Sequence, residues 1–344
     1  MRFVVRTALA VSSLVAVGCG KSDAPSQKRI DIPPPPPVTA PPDAAPPPLP
    51  EPLAPGGMVC RSNRTWYWGA GGAPTELRTV DVARGSDGQV YTLSFNPASK
   101  QHEVVSLSRP SQPAIALPSD ADADGLYVAD ANHVLLSTQG HGVRSYRDGT
   151  WTTHDQELEP HLDANSKWLT SAVFVDGAWW ITMGNTLFAQ RADRTFAPIA
   201  VADQKVLAVA ARGSSIIALA SNPQRTDLYE VAPAASDAAA AGGAPSLTKL
   251  NKKPLPGFGI KGNAVSGADG AVFFYTTAGG SNAGTIHHVA ADNSVRTIGK
   301  AMRLVGFDPA GRIWYQREDG LVARASDGAE TVFAANSHAM FAET

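Results

Sequence analysis

Six short apolar runs recur along the chain: VYTLSF (Val90 to Phe95), VLLST (Val134 to Thr138), WWITM (Trp179 to Met183), IIALA (Ile216 to Ala220), VFFYT (Val272 to Thr276) and IWYQR (Ile313 to Arg317). Their starts lie 44, 45, 37, 56 and 41 residues apart. Each follows a turn-forming pair: Asp87-Gly88, Ala131-Asn132, Asp176-Gly177, Gly213-Ser214, Asp269-Gly270 and Ala310-Gly311. Short turns of this chemistry between apolar runs predict hairpins. Strand-like runs stand ahead of the turns, as at Thr79 to Arg84, Ser171 to Asp176, Leu207 to Arg212 and Met302 to Phe307. A third strand-like run and then a fourth follow each apolar run, the third beginning at Glu103, Val143, Thr186, Asp227, Thr285 and Leu321.

Four strands per unit at a period in the low forties predict an all-β fold, a six-bladed β-propeller of four-stranded antiparallel blades over residues 64–337. Thr65 to Trp68 (TWYW) is expected to supply a strand that closes the ring against the last blade. The long fourth interval is explained by a low-complexity insert, Pro233 to Pro245. The short third interval leaves open whether the fourth blade has all its strands. Helix signals are nearly absent. A blade packs both faces, so the adjacent Trp179 and Trp180 need not place one ring in water. Trp179, Ile181 and Met183 are expected to face one neighbour, and Trp180 and Thr182 the other.

Two repeats also resemble known ones. DPAGRIWYQREDGLVARASDG (Asp308 to Gly328) resembles the propeller repeat of two-component sensor ectodomains, and the segment Ala268 to Ile298 is similar to NHL repeats. The resemblance implies the propeller fold and leaves function open, because propellers serve many purposes.

The N-terminus changes the picture from fold to location. Arg2 and Arg6 precede an apolar segment from Ala8 to Val17, the pattern of an export signal that is too short for a permanent membrane span. AVGC (Ala16 to Cys19) resembles the lipobox of bacterial lipoproteins, which implies a signal peptide over 1–18 and lipidation of Cys19. By the same resemblance, Gly20 after the cysteine implies sorting to the outer membrane, on its periplasmic or surface face. An ordinary secretory signal cleaved nearby is the alternative. Residues 19–57 form a proline-rich linker, expected to be disordered and without packed structure. From Pro33 to Pro55 it is expected to run as an extended polyproline II spacer of roughly 70 Å. Cys60 would then be the only other cysteine, either a buried small hydrophobe or a reactive thiol.

A formal charge of -2, with Lys and Arg scattered, excludes the concentrated basic surface that nucleic acid requires. Among candidate sites, DADADG places Asp120, Asp122 and Asp124 as in the first half of a calcium loop. Calcium is the one cofactor suggested. Val128 and Ala131 stand where the second half needs oxygen ligands, which favours a solvated acidic turn. His287 and His288 are adjacent strand residues and should face opposite ways, so they cannot share a metal ion. His141, in QGHG, suits a turn or a ligand contact. The glycine-rich segment Thr276 to Thr285 does not lead into a helix and reads as a hairpin loop.

Loops between second and third strands should share a face with the connections between blades. There they would gather a polar ring of Asn96, His141, Asn185, Arg225, Asn282 and Arg317, the expected ligand face. With no nucleophile elbow, HExxH or phosphate loop in the sequence, the leading reading is a lipid-anchored, monomeric, non-catalytic binding or scaffold module for a protein or glycan. One alternative is a metal-dependent hydrolase or lyase, by resemblance to the six-bladed gluconolactonase-like group. In that group a divalent ion is held by Glu, Asn and Asp from several blades, for which Asp81, Asp176 and Asn263 are offered here. The other is an accessory role in outer-membrane assembly, by analogy with the eight-bladed lipoprotein of the barrel-insertion machinery.

Overall fold

The computed structural model describes residues 58–61, 64–68, 74–77, 79–138, 142–162, 167–232, 245–251, 253–255, 261–267, 270–277, 283–307, 311–333 and 338–339. The chain divides into two units between Pro48 and Leu49, and every described residue lies in the second. The signal, Cys19, the proline-rich linker and residues 233–244 of the insert lie outside the described residues.

Three strands come first: β1 (Met58–Arg61), β2 (Arg64–Trp68) and β3 (Pro74–Leu77). The predicted repeats follow as six antiparallel sheets. The first sheet is β4 (Thr79–Arg84), β5 (Val90–Asn96), β6 (Gln101–Ser106) and β7 (Ile115–Ala116). The second is β8 (Ala123–Asp130), β9 (His133–Thr138), β10 (Gly142–Arg147) and β11 (Thr150–Thr153). After a short helix α1 (Asp155–Leu158) and a 3-10 turn (Glu159–His161), the third is β12 (Leu169–Val175), β13 (Ala178–Met183), β14 (Thr186–Gln190) and β15 (Phe196–Ile199). The fourth is β16 (Lys205–Arg212), β17 (Ser215–Asn222), β18 (Arg225–Ala232) and β19 (Ser246–Lys249). The fifth is β20 (Lys261–Ser266), β21 (Val272–Thr277), β22 (Gly284–Val289) and β23 (Val295–Ala301). The sixth is β24 (Arg303–Phe307), β25 (Ile313–Arg317), β26 (Gly320–Arg324) and β27 (Glu330–Phe333), and β28 (His338–Ala339) ends the series.

The six repeats thus fold as the four-stranded blades that the pattern predicts, the fourth with all its strands. The ends of the body add a seventh four-stranded sheet, in the order β28-β1-β2-β3. Thr65 to Trp68 therefore does not extend the last blade. It lies within β2, and the ends meet where Val59 pairs with Ala339 and Cys60 with His338. The described strands run from Met58 to Ala339. Helix α1 was also unforeseen, being too short to leave a helical period.

The core lies between sheets. Tyr91 and Leu93 of the first sheet pack with Leu126 and Leu136 of the second, and Leu135 and Val143 of the second pack with Trp179 and Ile181 of the third. Trp180 and Val175 meet Val209 and Ile216 of the fourth; Ile217 and Leu219 meet Phe274 of the fifth; Phe273 and Tyr275 meet Ile313 and Tyr315 of the sixth. The paired tryptophans divide as expected, Trp179 to the second sheet's side and Trp180 to the fourth's, both buried.

Each innermost strand is a sheet edge, whose unpaired backbone groups need partners. Side chains of the preceding sheet supply some of them. Asp81 Oδ2 accepts the Leu126 N–H at 2.8 Å, and Ser171 Oγ accepts the Val209 N–H at 2.9 Å. Both accepting side chains sit at bulges, between Thr79 and Asp81 and between Leu169 and Ser171, where the inner strand bends.

Trp180→Ala is expected to cost about 3 to 5 kcal/mol of stability by denaturant titration. The Trp180 indole N–H has no hydrogen-bond partner in its core. Trp180→Phe, which keeps an aromatic ring and removes the unpaired donor, should therefore cost less than Trp180→Ala.

Candidate functional site

The hairpins joining first to second strands share a face with the loops joining third to fourth. Between the first and second sheets this face opens into a cleft of about 420 Å³, lined by Asp87, Gln89, Arg109, Ser111, Gln112, Asp130, Ala131 and Asn132. The sequence had pointed to the other face, which carries the connections between blades. The cleft is built from three turns that meet only when the sheets stack.

Turn chemistry fixes its acidic groups. Asp87 Oδ1 accepts the Gln89 N–H at 3.1 Å, and Oδ2 accepts the Gln89 side-chain amide and the Tyr91 hydroxyl, each at 2.8 Å. Gly85 is required here, because a Cβ at that position would lie 2.3 Å from Asp87 Oδ1. Burial, and then the Asp87 carboxylate, push the Tyr91 hydroxyl above the ordinary phenol range, so it stays a donor. Ser106 Oγ donates to the buried Gln89 Oε1 at 3.1 Å. Across the cleft, Asp130 accepts the Asn132 N–H at 2.7 Å and faces His133 Nδ1 at 2.9 Å, while the His133 ring lies against Phe174. Arg109 is exposed and, among the described residues, its guanidinium joins no ion pair. The cleft thus offers held carboxylates, amides and one uncommitted cation.

Four residues of the expected ring on the linking face are described. Asn96 caps its own loop, its Oδ1 accepting the Ala98 N–H while its amide donates to Glu103. Asn185 holds a positive φ of 66° in the turn after β13, and its carbonyl accepts the Val206 N–H. Arg225 donates to Asp227 at 2.8 Å, and Arg317 is shared by Asp319 and Glu330. His141 and Asn282 lie outside the described residues. Asp227 is fully buried and also takes Lys249 at 2.9 Å, Gln204 and Asn251. Burial raises its pKa, but those three partners outweigh burial and hold it below the usual carboxylate value. The ring residues are largely committed to their own loops.

Asp120, Asp122 and Asp124 do not converge. Ala121 and Ala123 are buried between them, so the run is extended and its carboxylates alternate outward. Asp120 forms a two-pronged pair with Arg144, and Asp124 accepts the Ser137 hydroxyl. Asp81 is engaged with Leu126, Asp176 sits at positive φ in a hairpin turn, and Asn263 lies on β20. Among the described residues no three His, Cys, Asp or Glu side chains are grouped to hold a metal. His287 is buried with Nε2 3.3 Å from Thr276 Oγ1, whereas His288 stacks on Phe273 and takes Arg296, on opposite faces as expected.

With the geometry in view, the chain can be set beside known structures. No protein-family model matches it, and no curated protein matches its sequence. The β-propeller domain of the Trilobed protease from Pyrococcus furiosus, which has an open velcro topology, is similar with a TM-score of 0.51 at 11% identity, over 81% of this chain and 94% of that one. PorZ, a surface component of the type-IX secretion system of Porphyromonas gingivalis, gives 0.49 at 14% identity over 77% of this chain, which spans 33% of PorZ. BamB from Moraxella catarrhalis gives 0.44 at 11%, over 83% and 84%. The likeness is one of fold.

Sequence reasoning missed one constellation. Ser145 Oγ lies 2.7 Å from His154 Nε2, and His154 Nδ1 lies 2.7 Å from Glu157 Oε1, which also accepts the Phe196 N–H. This is the order of a nucleophile, base and orienting acid. Yet Ser145 and His154 are buried between the second and third sheets, and the His154 ring packs edge-on against Phe196. The signal, H-x-x-E after a strand serine, is too common in sequences to be read alone. The chain of bonds anchors α1 to the third sheet.

Two outcomes follow from that burial. Ser145 should resist fluorophosphonate probes in the folded protein; labelling detected by mass spectrometry would instead mark a hydrolase. Burial lowers the His154 pKa, with the Glu157 bond opposing, so the folded protein prefers the neutral ring. Stability is then full above the ordinary histidine value of about 6.5 and falls as pH drops toward the lowered one. Melting temperature should decline on acidification below neutrality, less steeply in His154→Gln. His287, also lowered by burial, keeps part of the slope.

Proposed function

We propose that the chain is a non-catalytic binding module of the bacterial envelope, lipidated at Cys19 and carried by its proline-rich spacer, whose propeller holds a glycan. The observation that carries this reading is the polar cleft between the first and second sheets. Its volume falls within the range of small-molecule pockets, roughly 300 to 1,000 Å³. Carboxylates and amides held rigidly by turns suit the hydroxyls of a sugar, because a preorganised polar site loses little entropy on binding. The exposed Arg109 guanidinium adds a forked donor that fits a carboxylate, so an acidic sugar is the best match.

A glycan array probed with the full chain is expected to retain acidic oligosaccharides. Arg109→Ala should weaken that binding by about ten-fold or more, since charge-assisted hydrogen bonds contribute roughly 1.5 to 3 kcal/mol. Retention of no glycan, or affinity unchanged in the variant, would remove the cleft as the site.

A further inference from the structure

The face opposite the cleft carries a different kind of surface. Phe95, at the end of β5, is 50% exposed, and Trp168, just ahead of β12, is 59% exposed. Single exposed apolar residues need no explanation, but these two large aromatics lie on the same face and bracket the second sheet. Phe95 is steadied by an edge-on contact with His102 at 5.5 Å, and the Trp168 backbone is held by the Gly184 N–H. Neither is part of an inter-sheet core.

Between them the linking face is acidic. The connection from the first sheet to the second brings Asp120, Asp122 and Asp124, and the segment after β11 brings Asp155, Glu157 and Glu159. Arg144 neutralises Asp120, His154 takes Glu157, and Lys167 reaches Glu159 at 3.1 Å. Asp122 and Asp124 remain exposed carboxylates with no cation on them among the described residues. The same face over the fourth to sixth sheets carries Lys205, Arg225, Lys249, Lys253, Lys300 and Arg303, of which Arg225 and Lys249 are paired with Asp227. The linking face is thus polarised, with its exposed aromatics on the acidic side.

We infer that this aromatic and acidic arc docks an extended, basic protein segment bearing apolar side chains. The aromatics supply anchors, since Trp and its like dominate interface energy once desolvated. The carboxylates supply orientation and capture over a distance set by salt, and lysine or arginine stems lie favourably on exposed rings. Anionic lipid is a poor occupant, because its headgroups would meet exposed Asp122 and Asp124.

The test uses the full chain and a fluorescent octapeptide of alternating lysine and leucine, with a glutamate–leucine octapeptide and phosphatidylglycerol vesicles as comparisons. Binding of the lysine peptide should weaken by about ten-fold in Phe95→Ser/Trp168→Ser. It should also weaken in Asp122→Asn/Asp124→Asn, a variant that keeps the Ser137 bond, and as salt rises from roughly 0.05 to 0.5 M. Arg109→Ala should bind it normally, which separates this arc from the cleft. Equal binding of the glutamate peptide, affinity unchanged in both double variants, or vesicle recruitment that depends on Phe95 and Trp168 would overturn the inference.

Discussion

Burial of both faces of the six repeat sheets is the constraint on which the rest of the described structure depends. A sheet in this ring has no solvent side, so its middle strands become apolar at consecutive positions, as at Trp179 to Met183 and Ile216 to Ala220. Each of the five inter-sheet cores is made from two sheets and cannot form from one. Stability is therefore shared along the ring, with each interface supported by its neighbours. Polar contacts fit around this requirement and occur where strands bend or end: Asp81 on Leu126, Ser171 on Val209, Asp227 on Lys249.

The blades were legible because their cause is local and repeated. A turn pair such as Asp176-Gly177, with both residues at positive φ, leaves a residue-level mark, and so does an apolar run packed on both sides. The seventh sheet was not legible. Its strands are short, and β28 pairs with β1 from the far end of the chain, a pairing that leaves no periodic signal. DADADG matched half of a calcium loop and was read in favour of a solvated acidic turn; Asp120, Asp122 and Asp124 are exposed, with Ala121 and Ala123 buried between them.

Sites leave less trace in a sequence than blades do, for the same reason. The cleft needs the Asp87 turn, the Arg109 loop and the Asp130 turn side by side, and adjacency of sheets is a tertiary fact. Of the expected polar ring, Asn96, Arg225 and Arg317 spend their hydrogen bonds on their own surroundings. Ser145, His154 and Glu157 show the converse: a geometry that would suggest chemistry is sealed by packing and serves attachment.

The two-residue β28 sets an order of events for a chain made from its N-terminus. Strand β1 is among the first to emerge, yet one of its edges stays bare until the last strand arrives. Such a long-range pairing forms late and slowly, and an uncovered edge is an invitation to wrong partners. The nascent body is therefore most vulnerable between emergence of its first strand and its last, so chaperone protection during that interval would matter more for its yield than the stability of any finished blade.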